Sequence, residues 1–294
     1  MYATELSRGP WDAGAQHGGG PAAVLMREFE RVSGGGEDGL ALGRVTYELL
    51  RPVPLGELRV CASVVRPGRR VQLLEGSMWR PDGVEVVRAR ALRVARAPVS
   101  ALGAGSGSES GAGAQSGAGA QPGPGAQSGA GAQSGAGAQS GAGAAGGQVE
   151  RMSPGPADGS LVPFPFADER PLFPIDAMEI RFVSGSFVET GPSRAWFRLK
   201  VPVVAGEEPS GYQRLAAAAD FPNGIATELD WGRWLFINPD LTIHVEREPV
   251  GEWIGLEASM RVSADGCGQS EAVLYDLEGR VGRSLQTLYI APRV

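Results

Sequence analysis

The 294-residue chain is poor in the side chains that many catalytic and metal sites draw on, with two Cys, two His and one Lys. Cys61 and Cys267 are too few and too far apart for a disulfide framework or a zinc site, so two free thiols and no metal are expected. With only His17 and His244, and no Ser in a G-x-S-x-G elbow, a Ser-His-Asp hydrolase has little to build on. Neither a G-x-x-x-x-G-K-[ST] loop nor a strand-linked G-x-G-x-x-G is present, and no cofactor is expected. Basic residues never cluster in fours and the formal net charge is -6, which disfavours nucleic acid and anionic membrane surfaces as partners. No run approaches the ~20 apolar residues of a membrane-spanning helix. The opening MYATELSRGPWDAGAQ has neither the basic nor the apolar region of a secretory signal, so a soluble, cytoplasmic protein is expected.

Glycine, by contrast, is abundant, but 17 of the 45 fall within residues 101–150, in near-repeats of GAGAQS. Such a segment has almost no apolar bulk to offset the entropy of ordering its backbone. A flexible linker is therefore placed over 99–172, separating an N-terminal unit, 1–98, from a C-terminal unit, 173–294. Each is long enough for a core of roughly 100 residues.

The first unit reads as a short extended entry, TELSRGPWD, then a helix over PAAVLMREFERV, where Ala22, Leu25, Met26 and Phe29 recur at helical spacing. The glycines of SGGGEDG end it. The period then changes to two. VTYELLRPVP, ELRVCASVVRP, RVQLLEGSMWRPDG and VEVVRARALRVAR alternate apolar and polar residues between Pro- and Gly-containing turns, an antiparallel meander. The second unit repeats the plan: strands RFVSGSF and RAWFRLKVPV, a helix in SGYQRLAAAADFPNGIATEL interrupted or ended near Pro222, then strands in LFINPDLTIHVERE, EWIGLEASMRVS, GQSEAVLYDLEG and GRSLQTLYIAP. The fold class is α+β.

The halves also match in detail. Thr46 pairs with Thr242, Arg51 with Arg247, Gly83 with Gly279 and Leu92 with Leu288, all 196 residues apart, while Gly56 and Glu57 match Gly251 and Glu252 at 195. This is an internal duplication. Departures from the match are candidates for function. Asp220 stands where the first half has Val24, and Gln286 where it has Arg90. Asp220 follows LAAAA on an apolar helical face, where an ionised carboxylate is costly without partners; a helix-terminal or Asn223-paired carboxylate is the plainer alternative. Gln286 either holds a polar group with its amide or faces solvent. Asn238, Asp240 and Thr242 start a strand, and Asn-Pro-Asp is also a turn signal. His17, ahead of the first helix, is either a ligand contact or a capping or surface residue.

A helix followed by an antiparallel sheet, twice in one chain, together with QHGGGPAAVL, RPVPLGEL, VVRPGRRVQ, ADFPNGI, INPDLTIHVEREPVGEWIGL and GRVGRSLQTLYI, resembles the acyl-CoA thioesterase II-like family of the thioesterase superfamily. The resemblance covers about residues 5–97 and 175–293. It implies a double hotdog, two tandem copies each with a long helix wrapped by its sheet, forming an intrachain pseudo-dimer that associates further into homo-oligomers. It also implies hydrolysis of a fatty-acyl or related acyl-CoA to free acid and CoA, within lipid metabolism. In that family an Asp on the second helix, a Thr or Ser on the next strand and a Gln on the last strand hold a water. Asp220 and Gln286 match. Alignment on Arg247 puts Asn238 in the middle, a departure that removes a hydroxyl; Thr242 is the alternative, although it pairs with Thr46. The substrate side is assigned to His17, Gly18 and Arg247, with Arg69 and Arg70 as further cations for the CoA phosphates. Two other readings stay open: a non-catalytic acyl-CoA-binding or accessory protein, suggested by Asn238, and a hotdog hydratase or dehydratase with His17 and Asp220 as its acid–base pair.

Overall fold

The computed structural model describes residues 1–32, 39–96, 149–165 and 169–293. The GAGAQS tract and most of SGGGEDG lie outside them, and so do the expectations placed there.

In the first half β1 (Tyr2–Ala3) pairs with β3 (Gly56–Glu57), and helix α1 (Gly19–Arg31) lies on a sheet of β2 (Leu40–Leu49), β4 (Arg59–Arg66), β5 (Val71–Trp79) and β6 (Glu85–Ala95). Pro21 suits the first turn of α1, where its missing N–H has no helical acceptor to lose. Ala22, Leu25, Met26 and Phe29 are buried, as their spacing predicts. The far end is closed by Arg93 of β6, whose buried guanidinium donates to the carbonyls of Phe29 and Val32. Those carbonyls have no partner within the helix, and the C-terminal dipole favours a cation there. In place of the extended entry, one 3-10 turn spans Glu5–Ser7.

The second half contains β7 (Ser160–Leu161), β8 (Met178–Ser184), β9 (Ser193–Leu199), α2 (Gly211–Ala218), α3 (Pro222–Ile225), β10 (Trp234–Ile237), β11 (Asp240–Val245), β12 (Trp253–Val262), β13 (Cys267–Asp276) and β14 (Gly279–Pro292). All its strands join those of the first half except β1 and β3 in one antiparallel sheet. Its order is β4-β5-β6-β2-β11-β14-β13-β12-β9-β8-β7, with β10 also on β14.

Four further expectations change. The first-half strands do not form a simple meander: β2 crosses to the far side of β6, because alternation of residue type fixes which face a side chain takes, not which strand lies beside it. The long helix expected in each half is found only in the first. Pro222 lacks the N–H that would continue α2 and leaves a turn at Asp220. The stretch LFINPDLTIHVERE is two strands, since Pro239 cannot donate to the ladder and Asn238 turns inward. Finally, part of the stretch expected within the linker packs on the second-half sheet: Met152 is buried, β7 pairs with β8, and the Trp196 indole donates to the Pro154 carbonyl at 3.0 Å.

The two halves meet at β2 and β11. Thr242 faces Thr46 with its hydroxyl 3.2 Å away, and the flanking pairs are Asp240–Glu48 and His244–Arg44. The ladder is thus symmetric about the Thr46–Thr242 pair, the two residues that occupy the same place in each half. The repeat is visible in the turns as well. Gly56 and Gly251 have φ of +95° and +75°, and Gly83 and Gly279 have +84° and +140°, conformations that side-chain-bearing residues rarely adopt.

Candidate active site

Asp220 occupies the turn that Pro222 forces between α2 and α3, 5% exposed. Its Oδ1 accepts from Asn238 Nδ2 at 2.8 Å and from Gln286 Nε2 at 3.1 Å. Gln286 lies on the inner face of β14, and Asn238 sits in the gap between β10 and β11. Both are buried, so the inward alternative for Gln286 is the one observed. The other carboxylate oxygen meets the first half. Oδ2 is 3.2 Å from His17 Nδ1, and the backbone N–H groups of Gly18 and Gly19, at the start of α1, lie near enough to the carboxyl to favour its charged form.

Burial pushes the Asp220 pKa up from the ordinary carboxylate value to about 6, although the donors from Asn238, Gln286, Gly19 and Gly18 pull the other way. Desolvation outweighs the hydrogen bonds because the donors are neutral dipoles and supply no compensating charge. The His17 ring stacks on Phe221 and on Phe173, at centroid distances of 4.4 and 5.0 Å, and those two rings lie 6.1 Å from each other. Burial lowers its pKa to about 3, so the ring is neutral at physiological pH. Its Nδ1 accepts the Gly19 N–H at 3.1 Å. A carboxyl that titrates near 6 beside a neutral imidazole can take a proton from a weak acid such as water and later return it.

A cavity of about 530 Å³ adjoins the first turns of α1. Ala23, Val24, Val60, Met78 and Ala217 give it an apolar lining, and Phe173, the ring that stacks on His17, forms part of its wall.

The structure brings Asp220, Gln286, Asn238, His17 and Gly18 together and leaves Thr242, Arg247, Arg69 and Arg70 elsewhere. Thr242 bonds Thr46 at the join between the halves. Arg247, assigned to the substrate, instead forms a two-pronged ion pair with buried Asp276, at 2.6 and 2.5 Å, and donates to the Gly279 carbonyl. A guanidinium held by three oxygens is committed to the fold. Arg69 and Arg70 are exposed in the turn between β4 and β5. Sequence reasoning gave Asn223 no catalytic part, yet its backbone N–H donates to Gln286 Oε1 at 3.3 Å. Its only sequence signal is its place three residues after Asp220.

Family models match both halves: the acyl-CoA thioesterase N-terminal domain over residues 7–94 and the acyl-CoA thioesterase C-terminal domain over residues 149–290. The chain belongs to the acyl-CoA thioesterase family. It is accordingly a thioester hydrolase. The second match begins at 149, where the described structure resumes. Among solved structures, a conserved protein of unknown function with a hotdog fold from Alicyclobacillus acidocaldarius is similar at TM-score 0.66 and 16% identity, covering 100% of this chain and 92% of that one. A protein described as a thioesterase II from Thermobifida fusca YX gives 0.62 and 16%, over 95% and 87% of the two chains. The tesB protein of Mycobacterium avium subs paratuberculosis gives 0.59 and 13%, over 95% and 89%. At these identities the likenesses show the hotdog fold alone. No curated protein matches. Among the described residues no helix is long and apolar enough to cross a membrane, and no group of three or more His, Cys, Asp and Glu is placed to hold a metal ion.

Proposed function

We propose that this thioesterase is a double hotdog that hydrolyses a fatty-acyl or related acyl-CoA, with Asp220 as general base toward water. The observation that carries the reading is the buried Asp220 carboxyl, raised to about 6 and held by the Asn238 and Gln286 amides. Asp220 takes a proton from water, whose oxygen bonds to the thioester carbonyl carbon. The tetrahedral adduct collapses with loss of the C–S bond, and the CoA thiolate takes the proton back from Asp220. Negative charge on the carbonyl oxygen is favoured at the N-terminus of α1 by the aligned peptide dipoles. The acyl tail occupies the apolar cavity beside α1. The symmetric β2–β11 register supports an intrachain pseudo-dimer, each half supplying one side of the site.

Thiol release from acyl-CoAs of rising chain length tests this. Asp220→Ala should lower kcat by about 10²- to 10⁴-fold, the usual contribution of a general base; retention of most of kcat would sink the assignment. Binding of acyl-CoA by the unaltered protein without thiol release would instead make it an accessory acyl-CoA binder.

The His17–Asp220 contact is the observation that favours the hydratase reading. A neutral imidazole whose Nδ1 is already engaged is a poor acid, so that reading ranks second. Loss of enoyl absorbance from a 2-enoyl-CoA, without thiol release, would reverse the order.

A further inference from the structure

We infer that Asn223 is a positioning residue that, together with the Asp240 and Asp220 carbonyls, sets which end of the Asn238 and Gln286 amides faces the Asp220 carboxyl. The inference rests on the proposed role of Asp220. A primary amide has a donor end and an acceptor end of nearly the same shape, and only the donor end stabilises a carboxylate. Turning either amide over would put oxygen against oxygen.

Each amide at the site is oriented by a backbone group whose polarity cannot change. The Phe236 carbonyl can only accept, so the Asn223 amide presents Nδ2 to it at 3.2 Å. That same Nδ2 reaches Asn238 Oδ1 at 3.5 Å, which leaves Asn238 Nδ2 for the Asp240 carbonyl at 3.1 Å and Asp220 Oδ1 at 2.8 Å. The Asn223 backbone N–H can only donate. It therefore takes Gln286 Oε1 at 3.3 Å and leaves Gln286 Nε2 for Asp220, whose backbone carbonyl at 3.3 Å and Oδ1 at 3.1 Å both accept from it. Donor direction thus runs from Asn223 through both amides to one carboxylate oxygen. Asn223 is 6% exposed and does not itself touch the carboxylate. This arrangement is specific to an amide in the middle position. A hydroxyl there rotates freely about its C–O bond and needs no neighbour to set its direction.

The titratable group facing Asp220 across the site is His17, which is neutral, so a change in donor direction reads out directly on the carboxyl. The test uses Asn223→Ala and Asn223→Leu, the second keeping the side-chain volume, with folding checked by circular dichroism; both keep the backbone N–H on Gln286 and, of the two amide contacts, remove only the side-chain one to Asn238. Asp220 titration is followed by carboxyl-carbon NMR, and kcat and KM by thiol release. Both variants should lower kcat by about 10-fold, the worth of one hydrogen bond to a charged group, with little change in KM. The Asp220 midpoint should move to higher pH. In an Asn238→Thr background the Asp220 midpoint should no longer respond to Asn223→Ala. A folded Asn223 variant with an unmoved Asp220 midpoint overturns the inference, whether kcat falls or not. Retention of kcat in Asp220→Ala would overturn the proposed site, a separate failure.

Discussion

Gly18→Ala isolates the geometry of the reacting carboxyl from the stability of the fold. Gly18 has φ of -61° and ψ of -23°, ordinary helical values, so alanine introduces no backbone strain. The loss of chain entropy in the unfolded state would by itself favour Ala by about 0.4–1 kcal/mol. The obstacle is contact: the new Cβ would lie 2.6 Å from Asp220 Oδ2, 3.0 Å from Cγ and 3.1 Å from Oδ1. Ordinary contact starts at 3.4 Å, so Oδ2 and Cβ must separate by about 0.8 Å. Two amides hold the other side of the carboxylate, at 2.8 and 3.1 Å, and a shift of this size disturbs both bonds. A misplacement of about 1 Å at a reacting group costs on the order of 100-fold in rate. Thiol-release kinetics should therefore show kcat down by about 100-fold, while the thermal midpoint moves only a few degrees in either direction. A variant with kcat within threefold of the parent would refute the claim that this carboxyl is both pinned and reactive.

Three further outcomes are expected. For Asp220 the folded pKa, about 6, lies above the ordinary 3.8, so the ionised carboxylate costs stability as pH rises through 6. Asp220→Asn should thus stabilise the protein at pH 8, by at most about 3 kcal/mol, and gain nothing comparable at pH 4, as thermal melts at the two values would show; the parent's kcat/KM should rise through pH 6, and a flat profile from pH 5 to 8 would contradict the base assignment. The His17 ring resonances should not titrate between pH 5 and 8, and a His244→Ala variant assigns them; a midpoint near 6.5 would place the ring in a charged state that its burial opposes. Arg247→Ala leaves buried Asp276 without its cation and should cost about 3 kcal/mol in denaturant melts, with KM for acyl-CoA unchanged, whereas a raised KM on a stable fold would restore a phosphate-binding role.

What could be read ahead of the structure followed from chemistry repeated along the chain. Thr46 and Thr242, 196 residues apart, mark the centre of the join between the halves, and the matched turn glycines have positive φ in both. Asp220 stood out because a carboxylate interrupts an apolar helical face. Arg247 misled, because its position in the alignment says nothing of Asp276, 29 residues on, which claims its charge. Asn223 stood out only as a partner for the Asp220 carboxylate, and its contact with Gln286 was not foreseen because it is made by a backbone N–H, which every residue but proline possesses. Strand order was not legible either: β2 beside β6 is a choice of neighbour, and period-two patterning is silent on neighbours.

In an assembly of identical chains every substitution is made at each symmetric position, so a helix residue cannot be a carboxylate on one side and a hydrocarbon on the other. Here residues 196 apart in the repeat differ in this way: Asp220, in the turn after α2, is a carboxylate, and Val24, in α1, lines the apolar cavity. Joining the halves in one chain released each from the other's compromise. One position can tune a titrating group while its twin tunes the size of an apolar space, and each can be altered without touching the other.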